Sequence, residues 1–224
     1  MQLLKDSDAR ARERKDMVEY QLKRRGISDP QVLHAMETVP RHLFVPENER
    51  HNAYADGPVP IGKGQTISQP YIVAYMTEAL KLTRQEKVLE IGTGMGYQAA
   101  VLSRIAREVY TVERIPELLQ KAESTFRRLG YDNIHTRSAD GTMGLPSEAP
   151  FDAIIVTAGS PEIPEPLMSQ LAIGGKMVIP VGAHRLSQDI MRVTRTSDAE
   201  YDSESLLSVA FVPLIGDHGW KDQG

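Results

Sequence analysis

The rhythm of polar and apolar positions changes partway along the chain, near residue 82. Before that point the periodicity is helical. From about Asp8 to Arg25 the residues are densely charged, with Met17, Val18, Tyr20 and Leu22 interspersed, which predicts a surface helix stopped by Gly26. Asp29-Pro30 has the form of an N-cap followed by proline at the first helical position. Val32, Leu33, Met36 and Val39 continue at helical spacing until Pro40 ends the run. Residues 44–70 are rich in Pro, Gly and polar residues and carry no clear period; an irregular stretch that long is usually functional or disordered. Tyr71 to Leu82 reads as helix again.

Beyond residue 82 short apolar runs alternate with helical patterns. Lys87–Ile91, Val109–Val112, Asn133–Arg137, Phe151–Val156 and Lys176–Val181 are predicted strands. Helices are expected between them over Tyr97–Arg107, Pro116–Leu129 and Pro164–Leu171, the last ended by Gly174-Gly175. This order implies right-handed βαβ units, hence an α/β fold with a doubly wound, mostly parallel sheet. Asp189–Arg195 and Leu206–Val212 also read as strands, with no helix-length segment separating them, so a C-terminal antiparallel hairpin is expected at the sheet edge. The residues before the sheet form an N-terminal helical extension. The chain has no internal repeat or low-complexity tract.

Composition narrows the function classes. A chain of 224 residues fits one α/β domain with a short extension. The net charge of -4 argues against a nucleic-acid partner, because phosphate binding normally leaves a basic surface. No cysteine is present, which excludes disulfides, thiolate zinc sites and cysteine nucleophiles. The six histidines, His34, His42, His51, His135, His184 and His218, lack metal-ligand spacing and are read as structural or surface residues, so no metal is expected. The first six residues lack the apolar core of a signal peptide, and no stretch approaches the ~20 apolar residues of a membrane span. A soluble, cytoplasmic protein without a membrane partner is the expectation. Trp220 and the tail after it are expected to pack weakly or to be disordered.

The sharpest motif is Val88-Leu-Glu-Ile-Gly-Thr-Gly-Met-Gly-Tyr97. Glycines here let the backbone turn sharply off a strand and lie close against a ligand, with the next helix pointing its N-terminus at it. Some 20 residues on, Glu113 ends the next strand, where a carboxylate can accept hydrogen bonds from both hydroxyls of a ribose. A dinucleotide site wants G-x-G-x-x-G; Gly92, Gly94 and Gly96 form G-x-G-x-G instead, which disfavours a nicotinamide-dependent oxidoreductase. The motif, with Glu90 and Thr93 inside it, resembles the first motif of the S-adenosylmethionine methyltransferases. In that fold, the resemblance implies, Asp140 of Ser138-Ala-Asp-Gly141 contacts the adenine amino group. By itself it is equally a turn residue.

A narrower resemblance covers about Arg14 to Leu214. Tyr54-Ala-Asp-Gly-Pro58, Ile61-Gly62 and Gln65-Thr-Ile-Ser-Gln-Pro70 are similar to segments of the protein-L-isoaspartate O-methyltransferases. So are Val39-Pro-Arg-His-Leu-Phe-Val-Pro46, Phe151–Val156, Leu171–Pro180 and Phe211–Leu214. The resemblance implies a Rossmann-like class I methyltransferase that uses S-adenosylmethionine. Its substrates would be damaged proteins and peptides carrying L-isoaspartyl residues, whose free α-carboxylate is methylated so that the ester closes to a succinimide. It implies that Ser68 is the active-site serine, that Thr66 and Ile67 shape the methyl-transfer site, and that Val212, in the terminal strand, contacts substrate through its backbone. Gly92, Gly94, Gly96, Glu113, Asp140 and Gly141 match its cofactor motifs. Two positions depart from it: Val73 stands where eukaryotic members have histidine, and Ile215 where many members have threonine. The implied organisation is an extension with the active-site loop over residues 1–80 and a cofactor-binding core over 81–224, in one structural domain overall.

Two residues carry a second reading. Ser68 can instead cap the helix that begins near Tyr71, and Asp56 can order its loop or contact substrate. Three other functions stay open: a methyltransferase acting on a different carboxylate or small molecule, the oxidoreductase, and a non-catalytic cofactor-binding module. A base-modifying methyltransferase would usually carry a polar-aromatic loop after the fourth strand, where this chain has Thr157-Ala-Gly-Ser-Pro-Glu-Ile-Pro164.

Overall fold

The computed structural model describes residues 8–185 and 187–222. The reading of the first six residues falls outside them. Helix α1 (Asp8–Met17) is followed by a wider turn over Val18–Leu22 and a tighter one over Lys23–Arg25, and Gly26 stops the run at φ +95°. The predicted surface helix is corrected here. Met17, Val18 and Leu22 are buried, because the helix lays that side on α2 (Pro30–Thr38) and α3 (Pro70–Leu80). Asp29 caps α2, its carboxylate accepting from the Gln31 and Val32 amides, with Pro30 at the first position.

The stretch expected to be irregular holds a small antiparallel hairpin, β1 (Val59–Gly62) and β2 (Gln65–Ile67). Lys63 and Gly64 make its two-residue turn, both at positive φ, as a hairpin with the native strand twist requires. Val59, Ile61 and Ile67 point inward.

The main sheet comprises β3 (Lys87–Ile91), β4 (Glu108–Glu113), β5 (Ile134–Ser138), β6 (Phe151–Val156), β7 (Leu171–His184), β8 (Ser187–Arg195) and β9 (Tyr201–Val209). Its spatial order is β5-β4-β3-β6-β7-β8-β9. The first five strands run parallel, while β8 and β9 return antiparallel. Helices α4 (Tyr97–Leu102), α5 (Pro116–Leu129) and α6 (Glu165–Ser169) connect the parallel strands. The doubly wound α/β sheet with its C-terminal hairpin is as expected. Boundaries differ: α4 stops at Leu102 rather than Arg107, and β7 begins at Leu171, so Gly174 and Gly175 lie inside the strand instead of ending a helix.

The last strand is shifted from its expected place. β9 covers Tyr201–Val209, and Val212 lies beyond it. Residues 211–215 cross back over the sheet: Gly159 donates to the Val212 carbonyl and the Leu214 amide donates to Gly159. The tail is likewise anchored. The Trp220 indole N–H donates to the Gly159 carbonyl at 3.0 Å and its amide to Leu214 at 2.8 Å.

Apolar side chains cover both faces of the sheet. Val88, Val109, Ala153 and Ile155 meet α2–α5 on one face, while Leu89, Ile91, Ile154 and Met177 meet α6 on the other. Strand order reverses between β3 and β6, and the C-terminal ends of strands at such a point leave a crevice.

Candidate active site

That crevice is a cavity of about 420 Å³. Its floor is Ile91 and Gly92 from the end of β3, Val112 and Glu113 from β4, and Thr157 and Ala158 after β6. Its other walls include Gly141, Val212, Leu214 and the β1–β2 turn.

The glycine turn is shaped by close neighbours. Gly92 has φ +97°, and a Cβ there would lie 2.4 Å from the Thr157 hydroxyl, which donates to the Ile91 and Gly92 carbonyls. Gly96 has φ +96°, and its Cβ would strike the Phe126 ring at 2.5 Å. Only glycine satisfies both constraints. Glu113 fastens the turn to β4: Oε2 accepts from the Gly94 amide at 2.8 Å and Oε1 from Ile115 at 2.9 Å. A carboxylate has about four acceptor positions, so two remain for hydroxyls in the cavity.

Glu90 and Thr93 sit elsewhere than expected. Neither lines the main cavity. Glu90 is fully buried behind the turn, with Thr111 donating to one carboxyl oxygen, and Thr111 in turn pairs with the Thr93 hydroxyl at 2.6 Å. The alternation of β3 decides this, since Glu90 and Val88 share the face toward α2–α5 while Ile91 points to the other face and reaches the crevice. Burial pushes the Glu90 carboxyl up to about 8; the Thr111 bond opposes the rise and the Glu113 charge adds to it.

Asp140 is also turned away from the cavity, which its neighbour Gly141 lines. The Asp140 carboxylate accepts from the Thr142 amide and hydroxyl and from the Asp217 amide at 2.8 Å. Burial alone would raise its pKa, but these donors prevail and hold it below the usual carboxylate range. Asp140 therefore ties the tail to the cavity wall at Gly141.

Two further spaces adjoin the first. A small one of about 40 Å³ is lined by Ile67, Ser68, Val73 and the glycine turn. A groove of about 330 Å³ runs between Arg25, Ser68, Gln69 and Tyr71 on one side and Leu207–Val212 on the other. Thr66 and Thr157 line all three spaces, so the three meet there. Ser68 does not cap α3. The N-cap residue is Gln69 and makes no side-chain cap bond, and among the described residues the Ser68 hydroxyl has no hydrogen-bond partner. Asp56 is exposed and ion-pairs with Arg25 at 3.2 Å, while Gln69 donates to it at 2.6 Å; its carboxylate orders the loop beside the groove.

The structure thus brings together Thr66, Ile67, Ser68, Gly92, Gly94, Glu113, Gly141 and Val212. It leaves Glu90 and Asp140 as supports behind the walls, while Thr93 lines only the small space beside Ser68. Sequence reasoning assigned no role to Thr157, and its expectation of a weakly packed or disordered tail is overturned by the bonds of Trp220 to Gly159 and Leu214. Asp222 lines the cavity and ion-pairs with Arg114 at 2.9 Å, and Lys63 pairs with Glu117 at 2.8 Å. The lone Trp220 was the available signal for an anchored tail.

The model of the family described as protein-L-isoaspartate(D-aspartate) O-methyltransferase matches residues 12–219. The chain belongs to this family. It is 56% identical over 207 residues to protein-L-isoaspartate O-methyltransferase 2 of Pelobacter propionicus, covering 92% of each chain. It is 57% identical over 211 residues to the enzyme of Desulfosudis oleivorans, covering 94% of this chain and 95% of that one. A solved protein-L-isoaspartate O-methyltransferase superposes with a TM-score of 0.81 at 30% identity, over 92% of this chain and 67% of that chain. A Plasmodium falciparum chain described as the same enzyme, in complex with S-adenosyl-L-homocysteine, gives a TM-score of 0.79 at 28% identity, over 90% and 98%.

The family's methyl donor fits the residues present. The main cavity offers a carboxylate, Glu113, for a ribose diol and apolar walls at Ile91, Val112, Ile115 and Leu214 for a flat base. It has no need of a phosphate site. Among the described residues no cluster of His, Asp or Glu could hold a metal ion, and no helix is long and apolar enough to cross a membrane.

Proposed function

We infer that this chain transfers a methyl group from S-adenosylmethionine to the free α-carboxylate of L-isoaspartyl residues in damaged proteins and peptides. A cytoplasmic setting is part of the same proposal. The observation that carries it is the junction at Thr66 and Thr157, where a cofactor-sized cavity opens onto a groove flanked by a serine hydroxyl that has no partner among the described residues, in a chain that matches its family over residues 12–219.

S-adenosylmethionine supplies an electrophilic methyl on a sulfonium. The acceptor carboxylate is ionised near pH 7, so the protein needs no general base. Its work is placement and water exclusion. Attack neutralises a negative nucleophile and a positive leaving group, and a dry site favours that neutralisation. Ile61, Ile67 and Val73 supply the dry surface. The Ser68 hydroxyl holds one carboxylate oxygen without adding a full opposing charge, and Thr66 faces it from the cavity side. Holding reactants at near-attack geometry is worth several kcal/mol.

The groove explains how a peptide is read. β9 is the edge of the sheet, and the backbone from Leu207 to Val212 forms one wall of the groove. An extended peptide alongside it makes main-chain hydrogen bonds, as in strand addition. Isoaspartate and aspartate carry the same charge and differ by one methylene in the backbone. A pocket that senses only size separates such isomers by about 10–200-fold, whereas unpaired backbone groups give stronger rejection. The test is a paired assay with labelled donor on synthetic peptides differing only in that linkage. Methylation of the isoaspartyl form with near-complete rejection of the aspartyl form is expected. Equal rates would remove the repair function and leave a methyltransferase of another substrate.

A further inference from the structure

Arg41 is the largest fully buried side chain of the protein. It lies on a single 3-10 turn after α2, between Pro40 and Phe44. Its partners are two backbone carbonyls and one aromatic face; no carboxylate is among them, and Nη1 has no hydrogen-bond partner among the described residues. A guanidinium held by neutral acceptors alone loses much hydration. An apolar side chain of similar volume would avoid that desolvation but would leave both carbonyls without a donor.

We propose that Arg41 is a positioning residue that sets Ser68 at a fixed distance from the cofactor turn. Nε donates to the Ala53 carbonyl at 2.7 Å and Nη2 to the Ser68 carbonyl at 2.8 Å. Ala53 and Ser68 bound the segment that contains Asp56, the β1–β2 hairpin and Thr66. The guanidinium also covers the Tyr97 ring, with Cζ 4.7 Å from its centroid. Tyr97 is the first residue of α4, directly after Gly96. One planar group therefore grips both ends of the substrate segment and the helix that follows the glycine turn. Only arginine offers donors in a rigid fork together with a face that stacks on an aromatic ring. The bond to Ser68 uses its carbonyl, so the peptide plane is fixed while the hydroxyl stays available. The anchor is itself rigid, because Phe44, at the end of the same turn, is buried against Tyr97, Phe126 and Tyr131. The proposal rests on the assignment of Ser68 to the acceptor carboxylate.

The experiment uses the full chain with Arg41→Met and Arg41→Lys. It measures donor affinity by calorimetry, the thermal midpoint, kcat and KM on an isoaspartyl peptide, and amide hydrogen exchange over residues 53–70. For Arg41→Met the expected result is a kcat lower by about 10²-fold, as for a reacting group displaced by about 1 Å. Donor affinity is unchanged, the thermal midpoint falls because the Ala53 and Ser68 carbonyls lose their donor, and exchange is faster over residues 53–70. Arg41→Lys recovers part of the kcat, since one ammonium reaches one carbonyl. Unchanged kcat in Arg41→Met overturns the proposal whatever the midpoint does. So does a joint fall of midpoint, kcat and donor affinity that lysine does not relieve. If the methionine variant does not fold, the lysine variant decides: a lower kcat with unchanged donor affinity supports the role, and an unchanged kcat overturns it. A wild-type chain that methylates no isoaspartyl peptide defeats the substrate reading instead. Exchange in the variants then decides alone, and unchanged protection of residues 53–70 overturns the positioning role.

Discussion

Glu90→Gln should stabilise the protein increasingly as pH rises, although it removes a charge from the most conspicuous motif. Glu90 is fully buried, one of its oxygens has no hydrogen-bond partner among the described residues, and burial pushes its carboxyl up to about 8. In the unfolded chain it titrates near 4.5. The folded value is the higher one, so the native state holds the proton more tightly. The stabilisation is fully present below 4.5 and is lost as pH climbs through the interval to 8. At about 1.4 kcal/mol per pH unit the whole interval is worth about 5 kcal/mol, and about 3 kcal/mol is already lost at pH 7. Glutamine has the shape of the protonated acid, still accepts from Thr111 and does not titrate. Urea unfolding of both proteins at pH 5, 7 and 9 measures the gap. The variant should exceed wild type by less than about 1 kcal/mol at pH 5, by about 3 at pH 7 and by about 5 above pH 8, where the difference levels off. Parallel stability curves across this range would refute the reasoning and imply a Glu90 ionised in the native state. Donor affinity at pH 7 should change little, because Glu90 does not line the cavity.

Glu113→Ala should weaken S-adenosylmethionine binding by about 1.5–3 kcal/mol for each charge-assisted hydrogen bond lost, measured by calorimetry; unchanged affinity would remove the ribose assignment. Ser68→Ala should lower turnover on an isoaspartyl peptide by about 10²-fold while leaving donor affinity intact. Retained turnover would show the hydroxyl to be dispensable. Gly96→Ala combines a strained φ of +96° with a Cβ 2.5 Å from the Phe126 ring, and denaturant titration should read a loss of about 2–4 kcal/mol.

Much of this protein was legible in its sequence. The βαβ rhythm, the caps at Asp29-Pro30 and Gly26, and the glycine turn between Ile91 and Tyr97 are local. Their determinants lie within a few residues of one another, and backbone sterics make them independent of the rest of the chain. Glu113 was legible for the same reason, because parallel strands joined by one helix put the end of the next strand beside the turn. The β1–β2 hairpin left only the Lys63-Gly64 turn and the inward pair Val59 and Ile61 as signals, too short a run to show a period.

What the tertiary structure alone decided was direction and partnership. Glu90 and Asp140 belong to the motifs, yet they face Thr111 and the Thr142–Asp217 backbone rather than the main cavity, and Thr93 pairs with Thr111 beside the small space. Thr157 became the hinge of three spaces, Arg41 reached carbonyls far along the chain, and the tail returned to Gly159 through Trp220. These contacts join residues distant in sequence. They depend on which side of a strand faces the crevice and on how the loops above the sheet pack, and only the closed fold sets those relations, because a side chain's partner is chosen by proximity in space.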